Sequence, residues 1–271
     1  MPYHTILYYT ILYYTHSILK AWAAQCTQVH RFSRRLAPAG GGKGEIGEAN
    51  IELEDAMAGL LETIVQIRTE IREAGDRLEE CGEHLGGRSM LVMGAEARNS
   101  VASVEASTVS DQIGALLELV EGNLWVQLRL QVRRVQEVIV RLGALLDEAH
   151  SKDYDNAGGN EDGGDGEEGG ASRRQGLEDT ERLLEGCTSG NIAGQWNKVE
   201  SALNNTVENQ IPQLVVSLRG YGVGVQGSSR VDRLRARSRA CIEDAGARLG
   251  ELMPEIDLMA VRVQSCFDGD R

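Results

Sequence analysis

Between Leu53 and Leu85 the apolar residues fall at Leu53, Met57, Leu60, Ile64, Ile67, Ile71, Ala74, Leu78, Cys81 and Leu85, alternating strictly between four-residue and three-residue steps. That spacing is a heptad seam, a stripe that stays on one face of an α-helix mated to other helices. A seam of this kind cannot bury itself. Partner helices must come from elsewhere in the chain or from another molecule, so Leu53, Met57, Leu60, Ile64, Ile67, Ile71, Leu78 and Leu85 are the candidate interaction seam.

The positions beside the seam say what sort of partner fits. Where a parallel two-stranded coil would carry matched charges, this helix has Ala56, Leu61, Thr63, Gly75 and Gly82 among a few charged residues. Small flanks admit neighbours on both sides, which favours a bundle over a zipper. The helix is expected from about Ile46 to Leu85, with Gly86-Gly87 as a left-handed stop and Asn50 at a core position that fixes register. Its outward face is acidic: twelve carboxylates lie between Glu45 and Glu83, against Arg68, Arg72 and Arg77.

Three further helices follow from the same reading. Ser89 to Ser110 is rich in Ala, Ser and Val, and Thr108 with Asp111 has the spacing of a capping box that would begin a new helix. From Ile113 the apolar positions run through Leu117, Val120, Leu124, Leu128, Val132, Val135, Ile139, Leu142, Leu146 and Ala149. The consecutive four-residue steps through Leu124, Leu128 and Val132 form a stutter that locally unwinds a supercoil. Arg129, Arg133, Arg134 and Arg141 make this helix a basic counterpart to the first. A third seam runs Ile192, Trp196, Val199, Leu203, Val207, Ile211, Leu214 and Leu218, with Pro212 expected to kink or restart it. A fourth runs Ile242, Ala245, Leu249, Leu252, Ile256, Met259, Val263 and Cys266, with Pro254 outward and expected to bend the helix. The fold class is therefore all-α, an antiparallel helical bundle of long, coiled-coil-like helices.

Composition sets the limits on function. Only 4% of the 271 residues are aromatic, so the core must be aliphatic. The net charge of -13 repels nucleic acid and anionic lipid, which removes nucleic acid as a default partner. Five scattered cysteines (Cys26, Cys81, Cys187, Cys241 and Cys266) read as small buried hydrophobes in a reducing compartment. His16 and Lys20 interrupt the longest apolar run, so no membrane span is expected.

Residues 1–44 contain no Asp or Glu and repeat Thr-Ile-Leu-Tyr-Tyr in tandem from Thr5 to Tyr14. A five-residue period matches neither helix nor strand. Targeting leader, non-native extension and interfacial anchor compete for this stretch, and membrane contact is expected only through residues 1–30. Pro38 to Gly44 is a joint. Residues 151–172 are an acidic, glycine-rich linker expected to be disordered, followed by a short helix near Leu177 to Glu185. The chain thus divides into the leader (1–44), a helical segment (45–150), the linker (151–172) and a second helical segment (173–271).

Motifs with chemical readings are few. Gly222, Gly224 and Gly227 fit G-x-G-x-x-G, but that fingerprint needs a βαβ unit and the helical pattern offers a plain interhelix loop instead. Cys81 and His84 stand three apart without a second pair of ligands, so no metal is expected. The run from Asp153 to Gly164 lacks the final Glu of a calcium loop. No catalytic or cofactor-binding residue is assigned. Arg230, Arg233, Arg235, Arg237 and Arg239 crowd one helix start, where the dipole disfavours cations. They form a candidate basic docking patch, expected to meet the acidic face of the first helix or the linker carboxylates. These features point to a non-catalytic helical interaction or scaffold protein in the cytoplasm, assembling with partner helices or with itself. The alternative is a membrane-associated or organelle-imported helical protein addressed by its leader. A nucleotide-binding enzyme using residues 222–227 stands third.

Overall fold

The computed structural model describes residues 42–87, 91–156, 189–225 and 228–268. The leader before Gly42, the linker from Ala157, the segment from Leu177 to Glu185 and Gly227 lie outside them. The described residues form α1 (Gly42–Gly86), α2 (Ala95–Leu119), α3 (Leu128–Asn156), α4 (Ser189–Asn205), α5 (Ile211–Gly220) and α6 (Ser228–Asp268). A π-helical turn, Val120–Gln127, joins α2 to α3, and another, Thr206–Gln210, joins α4 to α5. The result is four rods and, among the described residues, no strand.

Contacts between rods fix their directions. His84 faces Glu105, Asn123 reaches Glu70, and Arg141 reaches Glu52, so α1 and the α2–α3 rod run antiparallel. Gly75 lies against Thr206 and Gln210, and Gly82 against Leu214, so α4–α5 runs parallel to α1. On the far side α6 runs antiparallel to α4–α5, with Glu208 meeting Arg239 and Trp196 meeting Gly246. It runs parallel to α2–α3, pairing Arg233 with Glu121 and Arg262 with Asp147. The bundle therefore consists of two antiparallel pairs laid side by side.

One shared core fills the space between them, and the seams expected from the spacing are what fill it. Leu60, Ile64, Ile71, Leu78, Leu128, Leu142, Leu203 and Leu252 have no exposed surface. Each such side chain contributes about 1.5–3 kcal/mol of transfer free energy. Gly75 and Gly82 work as the small flanks suggest: a Cβ on either would come within 3.3 Å of a side chain on α4–α5.

The π-turns explain how imperfect seams stay in the core. At 3.6 residues per turn a four-residue step overshoots one turn, and consecutive four-residue steps carry the stripe off its face. A wider π-turn absorbs the extra residue. The stutter at Leu124 and Leu128 falls within or beside Val120–Gln127. The same triple of steps occurs at Leu203, Val207 and Ile211, and Thr206–Gln210 lies there. Pro212 lies in the first turn of α5, and the backbone stays right-handed helical through Gln210 and Ile211, so the expected restart does not occur. Pro254 leaves α6 unbroken.

Several local expectations are corrected. Among the described residues the only glycine with positive φ is Gly222, so Gly86-Gly87 is not a left-handed stop. Glycine is still required at position 87, because a Cβ there would lie 2.9 Å from the Glu83 carbonyl oxygen. The Leu85 carbonyl at the end of α1 accepts a hydrogen bond from Tyr221 Oη at 2.7 Å. Thr108 does not begin a helix: its hydroxyl donates back to the Val104 carbonyl inside α2. Asn50 donates to Glu54 on its own helix, and Ala49 takes the core position. The helix before the linker continues to Asn156 rather than ending near Ala149.

Candidate functional site

The eight candidate seam residues from Leu53 to Leu85 are all buried, facing α2–α3 and α4–α5 of the same chain. What the sequence left open, whether the mate lies in this chain or another, is resolved for this face: it is occupied from within.

The arginines of α6 are brought together with two glutamates, one on each π-turn. Glu121 Oε1 accepts from Arg233 Nε at 3.0 Å and Nη2 at 2.6 Å, and Arg237 Nε stands 3.5 Å away. Glu208 Oε1 accepts from Arg239 Nε at 3.2 Å and Nη2 at 2.9 Å. Arg235 Nε lies 2.9 Å from Glu208 Oε2, within ion-pair range but poorly aligned for a hydrogen bond. Each glutamate thus spans two arginines one helical turn apart. The acidic counterpart expected on α1 is instead Glu121 and Glu208, and the linker carboxylates beyond Asn156 lie outside the described residues. Arg230 sits apart from these pairs, reaching over Gly114. All of these groups are partly exposed, so each pair is worth about 0.2–1 kcal/mol. Their combined effect is to lock α6 in register with both π-turns.

Two hydroxyl side chains enter the aliphatic core near this clasp. Thr206 and Ser238 are buried, and the Ser238 hydroxyl finds no protein partner. Cys241 donates its thiol hydrogen to the Val120 carbonyl at the start of the first π-turn, with Sγ 3.7 Å from the oxygen. Burial pushes the Cys241 thiol up to about 11. Sequence reasoning missed Glu121 and Glu208 as functional neighbours. Their only signal was position, beside the two places where the seam steps go wrong.

Toward solvent the first half of the clasp opens into a cleft of about 200 Å³ lined by Glu121, Trp125, Arg233, Arg237 and Cys241. The Arg129 guanidinium stacks 4.8 Å from the centroid of the Trp125 ring. Arg129 Nε also lies 3.4 Å from Asp244 Oδ2, which accepts from Arg248 as well.

The remaining motifs find local uses. Gly222 has φ of 76° because it ends α5 in a Schellman turn: Val223 N–H donates to the Leu218 carbonyl and Gly222 N–H to that of Arg219. Leu214 to Leu218, the stretch that could precede a dinucleotide loop as a strand, is helical. The βαβ setting is absent there. Cys81 is buried next to Glu105, and burial followed by that carboxylate pushes its thiol up to about 12. His84 turns outward, with Nδ1 3.2 Å from Glu105 Oε1. Among the described residues no group of His, Cys, Asp and Glu is arranged to hold a metal, and no helix is long and apolar enough to cross a membrane. No family model, curated protein or solved structure matches this chain.

Proposed function

We propose that this chain is a non-catalytic helical interaction or scaffold protein. The observation that supports this most is the closure of all four seams on one another, which leaves recognition to the outer faces or to an opening of the bundle. Those faces carry large apolar side chains in solvent: Val140 on α3, Leu258 and Val261 on α6, and Leu91 and Val92 between α1 and α2. Exposed apolar groups of this size on a charged surface mark contact sites when they cluster. The partners are protein helices or a second copy of the chain.

The test is a photo-reactive side chain placed at Val140 or Leu258 of the full chain in the native cell. Discrete adducts, lost when the other position becomes Asp, are expected. A chain that gives no adduct, or labels proteins merely in proportion to their abundance, would overturn the reading. Light scattering coupled to size exclusion distinguishes a self-adduct from a foreign one. We place the protein in the cytoplasm, and a fluorescent fusion with and without residues 1–44 tests the alternative, in which the acid-free leader addresses it to a membrane or organelle.

A further inference from the structure

The groove between the α2–α3 rod and α6 departs from the charge of the chain as a whole. Along it stand Arg129, Arg230, Arg233, Arg237 and Arg248, and the carboxylates that touch them are Glu121 and Asp244. These two cannot satisfy five guanidiniums, each of which offers five N–H donors in a fixed fork. All three contacts to Glu121 converge on a single oxygen, and Arg233 and Arg237 remain about half exposed, at 58% and 48%. Between them the cleft reaches Trp125 and buried Cys241. Its volume suits one side chain rather than a small-molecule ligand, whose sites run to roughly 300–1,000 Å³.

Arg230, Arg233 and Arg237 recur at three-residue and four-residue steps, so their guanidiniums share one face of α6. A helix lying alongside, with carboxylates at the same steps, would meet each in turn. Trp125 would take an apolar side chain from that helix, and Val126 and Leu130 are exposed on the same rod. A polyphosphate fits less well, because it has no apolar group to place in the cleft against Trp125.

We propose that this groove is a docking site for an acidic helical segment of a partner protein, with carboxylates on Arg230, Arg233 and Arg237 and one apolar anchor in the cleft against Trp125. The proposal rests on the interaction-protein reading and adds the class of partner. Anisotropy of a fluorescein-labelled peptide tests it on the full chain. The peptide carries glutamates at three- and four-residue steps around one phenylalanine. Saturable binding is expected, weakened about tenfold or more in R233Q/R237Q and by added salt. R235Q/R239Q removes the same charge from the Glu208 side and should leave affinity within about twofold. Should R233Q/R237Q fail to fold by circular dichroism, R230Q and W125A decide, each expected to weaken binding. No saturable binding at low salt, equal losses in the two double variants, or tighter binding of an RNA oligonucleotide of equal charge would overturn the proposal. If the adducts at Val140 and Leu258 persist in that event, the groove is lost and the interaction reading stands.

Discussion

Leu60 of α1 has no exposed surface and Ser238 of α6 almost none, yet their replacement by Ala should act in opposite directions. Leu60→Ala removes apolar contacts and leaves a cavity, and is expected to lower stability by about 2–5 kcal/mol. Ser238→Ala removes a hydroxyl without a protein partner and is expected to be neutral or to stabilise by up to about 1 kcal/mol. Urea midpoints at constant slope check both. Cys81 and Cys241 give a pH prediction. Their folded values, about 12 and about 11, lie above the ordinary 9.0, so the folded state holds these protons more tightly than the unfolded chain. Their contribution is fully present below pH 9 and is lost as pH rises through the folded values. The difference in stability between the parent and Cys241→Ala should therefore be flat up to about pH 9 and shift in favour of the variant above it. Seam residues were legible in the sequence because burial imposes a period. The pairing of Arg233 with Glu121 was not, since the partners stand 112 residues apart and each looks like an ordinary surface charge.

Each seam reads as regular heptads except where a π-turn sits, and deleting one residue shows what that means. Removing Gln127, between Leu124 and Leu128, would restore the alternation of four and three through Leu124, Leu128 and Val132. The rod should then continue as plain α-helix with its seam still inward, at a cost under about 2 kcal/mol. Removing Thr63 from α1 would turn everything beyond it by about 100° and drive Ile64, Ile67 and Ile71 off the core. That variant should not fold. Far-UV circular dichroism and thermal melts of the two deletions check the contrast. The stutter in the second rod was read from the steps alone, whereas the same triple of steps at Val207 went unread because Pro212 drew the reading toward a kink or restart. Local capping was less legible. Thr108 had the right spacing for a box, but its hydroxyl back-bonds within a continuous helix, a choice set by the packing of α2.

All-helical architecture could be read from the chain because four separate seams need one another. Which rods become neighbours could not, since a heptad stripe looks the same against any mate. The contacts show α1 paired with α2–α3 and α4–α5 paired with α6, so the residues on either side of the acidic stretch each make half of one core. The covalent link between those halves then acts chiefly as a tether that raises their effective concentration to about the millimolar range. Residues 42–156 and 189–268 made as separate chains should therefore find each other when mixed. Each alone should be weakly helical, and ellipticity should rise on titration with micromolar or tighter affinity, whereas two fragments that ignore each other would contradict the shared core. A protease cutting between Ala157 and Thr188 would not destroy such a protein. It would turn one continuous chain into a reversible pair of fragments, whose halves come apart on dilution and exchange with those of other copies.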